Sequence, residues 1–460
     1  MAPGAIPTPW APVPEVPLAM DPGSREPFPR EGLPLAEARQ RILAALQPLA
    51  GREQVPLEAA LGRVTAEPVL ALEAVPGFRA SIMDGYAIAE LEAPAVGALW
   101  QLVGRSAPGA PFQRDRAQSG DESADPSLCD VLRPGEAIRI LTGAPLPAGA
   151  QRVLPQELVE RLAGPGSGEG SGAEALTLKG ELGRNPWIRA ADEEAAAGEE
   201  LLPGGHRLGP ADLGRLASCG VAQLGVRPRP RVGLLISGDE LVAAGLARGP
   251  GQIWESNGVL LASLLARLGV VVAERRVVAD DPALLRQALS ELAAAADVVV
   301  STGGVSAGDT DWIRPLLAEL GAVDFWKLFL RPGRPFAFGQ LGGKPFFGLP
   351  GNPVAAAITA LQLLWPALQH LEGAPVELLP RLKVRLAAPI RRSAGRPELA
   401  RARLLVGPDG ELQASVEGSQ ASSRIGSLQG ADLLLEIPAE QGGLEAGTEL
   451  WAQLLRLPLF

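Results

Sequence analysis

The chain has 460 residues, room for roughly three domains on the usual size range and for a sizeable buried core. Its formal charge of -10 excludes a general nucleic-acid binder, so an anionic ligand must be met by a local basic site. Cys129 and Cys219, without a CxxC pattern, exclude a disulfide scaffold or cysteine zinc site, and only His206 and His370 could serve a histidine-based metal site or triad. Acid–base and metal chemistry therefore rests on carboxylates, lysine and arginine.

Residues 1–33 are proline-rich and aperiodic, which predicts a disordered tail. They show no charged n-region and no apolar core, so no signal peptide is expected and a cytoplasmic protein is. Apolar residues at helical spacing predict a helix over Leu35–Leu49 and a second from Leu57 to Leu61. These begin a helical linking domain, residues 34–75 and 193–229, into which a β-rich segment, 76–192, is inserted. That segment holds Met83-Asp84-Gly85-Tyr86-Ala87, with the only tyrosine of the chain, and strand-like runs at Leu99–Val103 and Ala137–Leu141. The turn Thr142-Gly143-Ala144-Pro145 follows directly. Polar pieces at Asp115–Asp125 and Ala163–Gly172 read as surface loops, and the acidic patch through Glu194 as solvated surface. A helix over Pro210–Ala217 leads to the linker Arg227–Pro230, a domain boundary.

From Arg231 strands and helices alternate. Strands are predicted at Val232–Ile236, Val270–Val277, Val298–Ser301, Asp324–Leu330 and Pro345–Leu349, with helices from Asn257, Pro282, Trp312 and Val354 between and after them. This predicts an α/β multidomain protein whose central domain, residues 230–375, is a doubly wound parallel sheet. The apolar stretch Pro353–Leu368 is short and carries Pro366, and so reads as a buried helix. Five β-like runs after Val376 predict a small C-terminal β-barrel-like domain, 376–460: Leu382–Leu386, Ala402–Val406, Glu411–Val416, Leu433–Ile437 and Leu450–Leu455.

In a parallel sheet the strand C-termini share one edge, and ligands bind in the crevice there. The first strand ends in Ser237-Gly238-Asp239-Glu240 and the second in Asp280-Asp281. The third ends in Ser301-Thr302-Gly303-Gly304, followed by Ser306, Gly308, Asp309 and Asp311. The fourth carries Lys327 into Arg331-Pro332-Gly333-Arg334-Pro335, and the last ends in Gly348-Leu349-Pro350-Gly351-Asn352-Pro353. Glycines let backbone amides approach an anion, and oxygen-only ligands suit a divalent cation beside phosphates. Taken singly, each piece is as readily an ordinary turn, and Asp281 and Asp311 read equally as helix caps. Their coincidence on one rim points to an anion- and metal-binding active site.

In order and spacing these motifs resemble the molybdopterin molybdenumtransferases, enzymes of molybdenum cofactor assembly that include the C-terminal domain of gephyrin; the resemblance runs from about residue 34 to the end. It implies a homodimer of four-domain subunits with active sites shared between them. The implied reaction inserts molybdate into the dithiolene of adenylylated molybdopterin and releases AMP, with Mg²⁺. Family functional positions fall on Asp84, Thr142, Glu240, Asp280, Asp311, Lys327, Pro350, Pro353 and Ser419. The resemblance gives Glu240, Asp280 and Asp311 to the metal, and Lys327 and Arg331 to oxyanions. It leaves substrate contacts to Ser237, Gly238, Asp239, Ser301, Thr302, Gly303, Gly304, Ser306, Gly308, Arg334, Pro350, Gly351, Asn352, Pro353 and Ser419. Arg331 and Arg334 stand where the family usually has lysine, Glu194 and Glu255 where aspartate is usual, and Ser237 for threonine. Implied partners are a molybdopterin adenylyltransferase and molybdoenzyme apoproteins, with neither nucleic acid nor membrane. The competing readings are a pterin adenylyltransferase, which shares the sheet domain, and a non-enzymatic gephyrin-like scaffold.

Overall fold

A computed structural model describes residues 32–113, 130–162, 174–305, 312–416 and 418–455. The two polar loops and all of the N-terminal tail except residues 32 and 33 lie outside the described residues. The chain forms two compact units. Met1–Glu67, Gly205–Pro210 and Gly225–Phe460 make one, and Pro68–Gly204 with Ala211–Leu224 the other.

The first unit is built on a six-stranded sheet in the order β2-β1-β3-β6-β5-β4. Its strands are β1 (Arg231–Ser237), β2 (Val271–Val278), β3 (Val298–Thr302), β4 (Gly321–Trp326), β5 (Ala337–Leu341) and β6 (Lys344–Leu349). Helices α1 (Asn257–Arg267), α2 (Pro282–Ala295), α3 (Ile313–Leu320) and α4 (Pro353–Glu372) connect or follow them. The β-branched run of β3 is buried along its whole length, as a central strand covered on both faces requires. Side-chain alternation divides β1: Val232, Leu234 and Ile236 pack with α1 and α4, while Leu235 packs with α2 and α3. Gly233 faces α2, where a Cβ would lie 3.1 Å from Leu292 Cδ2, so its missing side chain lets that helix sit close.

The doubly wound layering agrees with expectation, but the sheet is mixed. Strands β2, β1, β3 and β6 are parallel, whereas β5 runs antiparallel to both β6 and β4. Strand β5 was not anticipated, although Gly342-Gly343, at φ +55° and +78°, is a two-residue hairpin signal between it and β6. Strand β4 ends at Trp326 rather than Leu330 because Lys327 takes φ +76°, which breaks an extended chain. The second predicted helix shrinks to the single turn Leu57–Ala59, too short between Pro56 and Gly62 to offset nucleation.

Helix α4 is long and apolar enough to cross a membrane, yet 83% of its most apolar stretch is buried in the protein, as its reading as a core helix expected. Pro366 has no N–H for the carbonyl of Gln362 four residues earlier. The helix widens into a π-turn over Ala360–Leu364, and Arg39 Nε donates to the Gln362 carbonyl at 3.1 Å. Arg39 comes from the helix Leu35–Ala45, whose Ala38 and Ile42 enter the same core.

The C-terminal segments close a barrel in the order Arg381–Leu386, Leu412–Ser415, Glu398–Val406, Leu433–Ile437, Glu449–Leu454. All five runs read from the sequence are strands. Leu433, Leu435 and Ile437 fill the barrel, and Leu434 turns out to join the sheet-and-helix core. The other unit carries a six-stranded sheet that includes Gly85–Ile88, Leu99–Ser106 and Glu136–Ile140, in line with a β-rich segment there.

Asp281 caps α2, accepting from Ala283 and Leu284 N–H at 2.9 Å each, so its cap reading is the one the structure supports. Asp281→Ala is expected to destabilise this unit by about 1 kcal/mol, the usual worth of such a cap, read as a lower denaturant midpoint at unchanged slope.

Candidate active site

The chain leaves β1 toward β2 on one side and returns to β3 on the other, with α1 and α2 on opposite faces. A crevice opens where the two connections part. A cavity of about 880 Å³ occupies it, a volume suited to a small organic molecule.

Its floor is made of strand ends. Gly238 has φ +158°, and a Cβ there would meet Glu240 Oε2 at 2.7 Å, so the Glu240 carboxylate folds back over this glycine. Asp239 Oδ1 accepts the Asp280 N–H at 2.9 Å and ties the end of β1 to the loop after β2. Gly303 and Gly304 follow β3 at φ +92° and +62°. A Cβ on Gly303 would fall 2.5 Å from the Ser237 carbonyl, so only glycine fits. The side chain of Asn257, at the start of α1, donates to Thr302 Oγ1 at 2.9 Å and to the Gly351 carbonyl at 2.7 Å. Thr302 Oγ1 donates onward to the Pro350 carbonyl at 2.9 Å. One amide thus holds the turns after β3 and β6 together.

The opposite wall is basic. Arg331, Arg334 and Arg396 line the cavity. Arg331 Nε stands 3.6 Å from Glu398, but Glu398 also receives Arg392 Nε at 3.1 Å, so this acid is shared. Burial, then the charges of Arg334 and Arg331, pull the Arg396 guanidinium below the usual arginine range. The barrel adds Gln420–Ser423, with Asn352 Nδ2 donating to Ser422 Oγ at 2.9 Å. Ser237 Oγ is buried without a hydrogen-bond partner among the described residues. A buried orphan hydroxyl beside a glycine turn and facing an arginine wall fits a bound oxyanion.

Of the residues singled out by sequence, Ser237, Gly238, Glu240, Asp280, Thr302, Gly303, Gly304, Arg331, Arg334, Pro350, Gly351, Asn352 and Pro353 line this cavity. Asp239 does not, and acts through its bond to Asp280. Ser301 is shut inside β3 at 1% exposure. Lys327 stays at the end of β4, its N–H given to the Phe336 carbonyl at 2.8 Å, and does not line the cavity. Ser419 lines a separate cavity in the barrel. Ser306, Gly308, Asp309 and Asp311 lie outside the described residues. Asp84 and Thr142 belong to the other unit, where Thr142 N–H and Oγ1 both donate to Asp84 Oδ1 at 2.8 Å. No group of three His, Cys, Asp or Glu stands ready for a metal among the described residues. Sequence reading passed over Asn257, Arg396 and Gln420–Ser423. Asn257 had a detectable signal, a polar residue opening a helix right at the rim; the others reach the cavity only because the barrel docks there.

Fold and cavity together define an α/β enzyme that handles phosphate or oxyanion groups at a switch-point crevice. The sequence comparisons narrow this: the chain belongs to the molybdopterin molybdenumtransferases, enzymes of molybdenum cofactor biosynthesis. Residues 33–220 match the MoeA N-terminal region (domain I and II), residues 233–370 the probable molybdopterin binding domain, and residues 383–455 the MoeA C-terminal region (domain IV). A molybdopterin molybdenumtransferase of Haemophilus influenzae is 30% identical over 417 residues, 90% of this chain and 96% of the relative. Molybdopterin molybdenumtransferase 2 of Mycobacterium tuberculosis is 31% identical over 90% of this chain and 98% of its own. The crystal structure of a molybdopterin biosynthesis MoeA protein of Pyrococcus horikosii superposes with a TM-score of 0.72 at 27% identity, covering 93% of this chain and all of that one.

The two Thr142 donors hold the Asp84 carboxyl below the usual aspartate range, the backbone N–H contributing most. The interaction is present above the ordinary aspartate pKa and is lost as pH falls through the lowered one. Thr142→Val keeps the backbone donor and removes the hydroxyl. The Asp84 carboxyl should then titrate at higher pH than in the parent, though still below the usual range, when followed by carbon-13 NMR of the side chain.

Proposed function

We propose that this chain inserts molybdate into the dithiolene of adenylylated molybdopterin and releases AMP, working in the cytoplasm. One observation carries this reading: the arginine wall of Arg331, Arg334 and Arg396 faces the glycine turns of Ser237–Gly238 and Gly303–Gly304 across a single cavity. Guanidinium groups suit an oxyanion substrate, molybdate, while the glycine turns suit the phosphoanhydride. The dithiolene sulfurs belong to the substrate, which agrees with a chain of two cysteines. Glu240 and Asp280, with Asp311, would hold Mg²⁺; they are oxygen donors, the ligand type this ion takes. When bound, the ion neutralises phosphate charge. Asn257 holds the Gly303–Gly304 turn against the turn at Gly351 beside the anhydride, and Ser237 Oγ is placed to donate to one of its oxygens.

We further infer a homodimer in which each site draws on Asp84 and Thr142 of a second subunit, and domains at 34–75 with 193–229, 76–192, 230–375 and 376–460. Support for the division comes from the separate sheets and from the spans of the three family regions. Molybdopterin adenylyltransferases and molybdoenzyme apoproteins are the proposed partners upstream and downstream. A scaffold reading is weaker, because it gives no use to a basic wall and an orphan hydroxyl in one cavity.

The decisive assay supplies purified protein with adenylylated molybdopterin, molybdate and Mg²⁺, and measures AMP and finished cofactor. AMP release that requires molybdate supports the reading. Adenylylation of molybdopterin from ATP without molybdate consumption would overturn it. Arg331 makes only a 3.6 Å pairing with Glu398, too long for a hydrogen bond, so its charge is available to substrate. Arg331→Lys should therefore keep most activity, and Arg331→Ala should raise the KM for molybdate about tenfold, the loss of one charge-assisted contact.

Shared sites are tested with mixed dimers. Asp84→Asn and Asp280→Asn are each expected to be inactive. Refolded together in equal amounts, about half the dimers are mixed, and each mixed dimer regains one site of two. Recovery of about a quarter of parental activity is expected, and mixed dimers without recovery would exclude sharing.

A further inference from the structure

The large cavity has an apolar side that the oxyanion chemistry leaves unused. Just beyond β1, Leu241–Val242 pairs in parallel with Ile253–Trp254, and the Ile253 N–H donates to the Glu240 carbonyl at 2.8 Å. This pairing brings Ile253 and Trp254 to the cavity, and Trp254 is the one aromatic side chain among the described residues that line it. Ile253 is 49% exposed and Trp254 48%, although tryptophan ordinarily buries most of its surface. The indole is nevertheless fixed. Its Nε1 donates to the Leu246 carbonyl at 2.9 Å, and the Arg248 guanidinium covers one ring face, its central carbon 3.9 Å from the ring centroid. What stays open is the opposite face and the outer edge of a ring whose plane is already set. A flat apolar face fixed in advance lowers the ordering cost of whatever stacks on it.

We propose that Trp254, braced by Arg248, is the platform on which a planar, fused-ring nitrogen heterocycle of the substrate stacks at the mouth of the large cavity. This rests on the reaction proposed above, whose substrate carries two such rings, the pterin and the adenine. Stacking chemistry is common to both, because every such ring presents a π-face. The labour in the cavity is then divided. Arg331, Arg334 and Arg396 take the charged groups of the substrate, and Trp254 takes a flat uncharged one, so that affinity is gained without a further charge. The ring's place in the cavity lining favours a small-molecule occupant over a protein seated on the same exposed surface.

Two measurements on the full chain test the platform, using Trp254→Ala and Trp254→Phe proteins shown folded by circular dichroism. The first is equilibrium dialysis against radiolabelled AMP and against free pterin. Trp254→Ala should weaken binding of at least one of them about tenfold, the scale of one lost base stack, and Trp254→Phe should restore most of that affinity. The ligand that weakens tells adenine from pterin. The second is turnover: Trp254→Ala should raise the KM for adenylylated molybdopterin about tenfold, by more than kcat falls, and leave the KM for molybdate where it was. Dialysis needs no turnover, so a parent protein that releases no AMP from this substrate defeats the proposed reaction while dialysis still decides the platform. Equal affinity of the parent and alanine proteins for both ligands, or no binding of either by the parent, would overturn it. An equal loss in the phenylalanine and alanine proteins, or a matching rise in the molybdate KM, would overturn it as well, since the indole would then be a structural prop.

Discussion

The cavity exists because of how the chain leaves its central strand. From β1 it passes to β2 on one side, then crosses to β3 on the other, with α1 and α2 on opposite faces. Two connections that diverge from adjacent strand ends cannot both fill the space between them. That space is left to a ligand, and the side chains nearest to it come from strand tips far apart in sequence. Their closeness is held by short polar links: Asn257 to Thr302 and Gly351, Asp239 to the amide of Asp280, and Asn352 to Ser422.

Charge is distributed against the overall composition. An acidic chain, at -10, gathers Arg331, Arg334 and Arg396 on one wall, where Arg331 shares the acid Glu398 with Arg392. Repulsion among neighbouring guanidinium groups is tolerated when an anionic ligand relieves it. Substrate binding would therefore stabilise the folded chain as well as position reactants.

The core solves a different problem. Pro366 inside a buried helix removes one donor and would strand a carbonyl. Arg39, brought from more than 300 residues away in sequence, supplies that donor. The N-terminal helix is consequently joined to the sheet's core by a specific polar contact as well as by Ala38 and Ile42.

Much of this was determined by sequence alone, wherever the signal is local. A β-branched run buried on both sides, glycines at positions that a Cβ would block, a proline-preceding aspartate at a helix start and five alternating barrel strands are each written within a few residues. The order of the motifs identified the family and most of the cavity lining. Tertiary structure decided what depends on the partner surface. It set β5 antiparallel in the sheet, kept Lys327 at a strand end, moved Ser419 to a separate cavity and brought Arg396 and Ser422 to the large one. No local pattern distinguishes these from ordinary surface residues, because their roles come from the docking of a barrel that follows the sheet in the chain. Local sequence governs backbone shape, whereas which side chains share a cavity is settled by packing between distant segments.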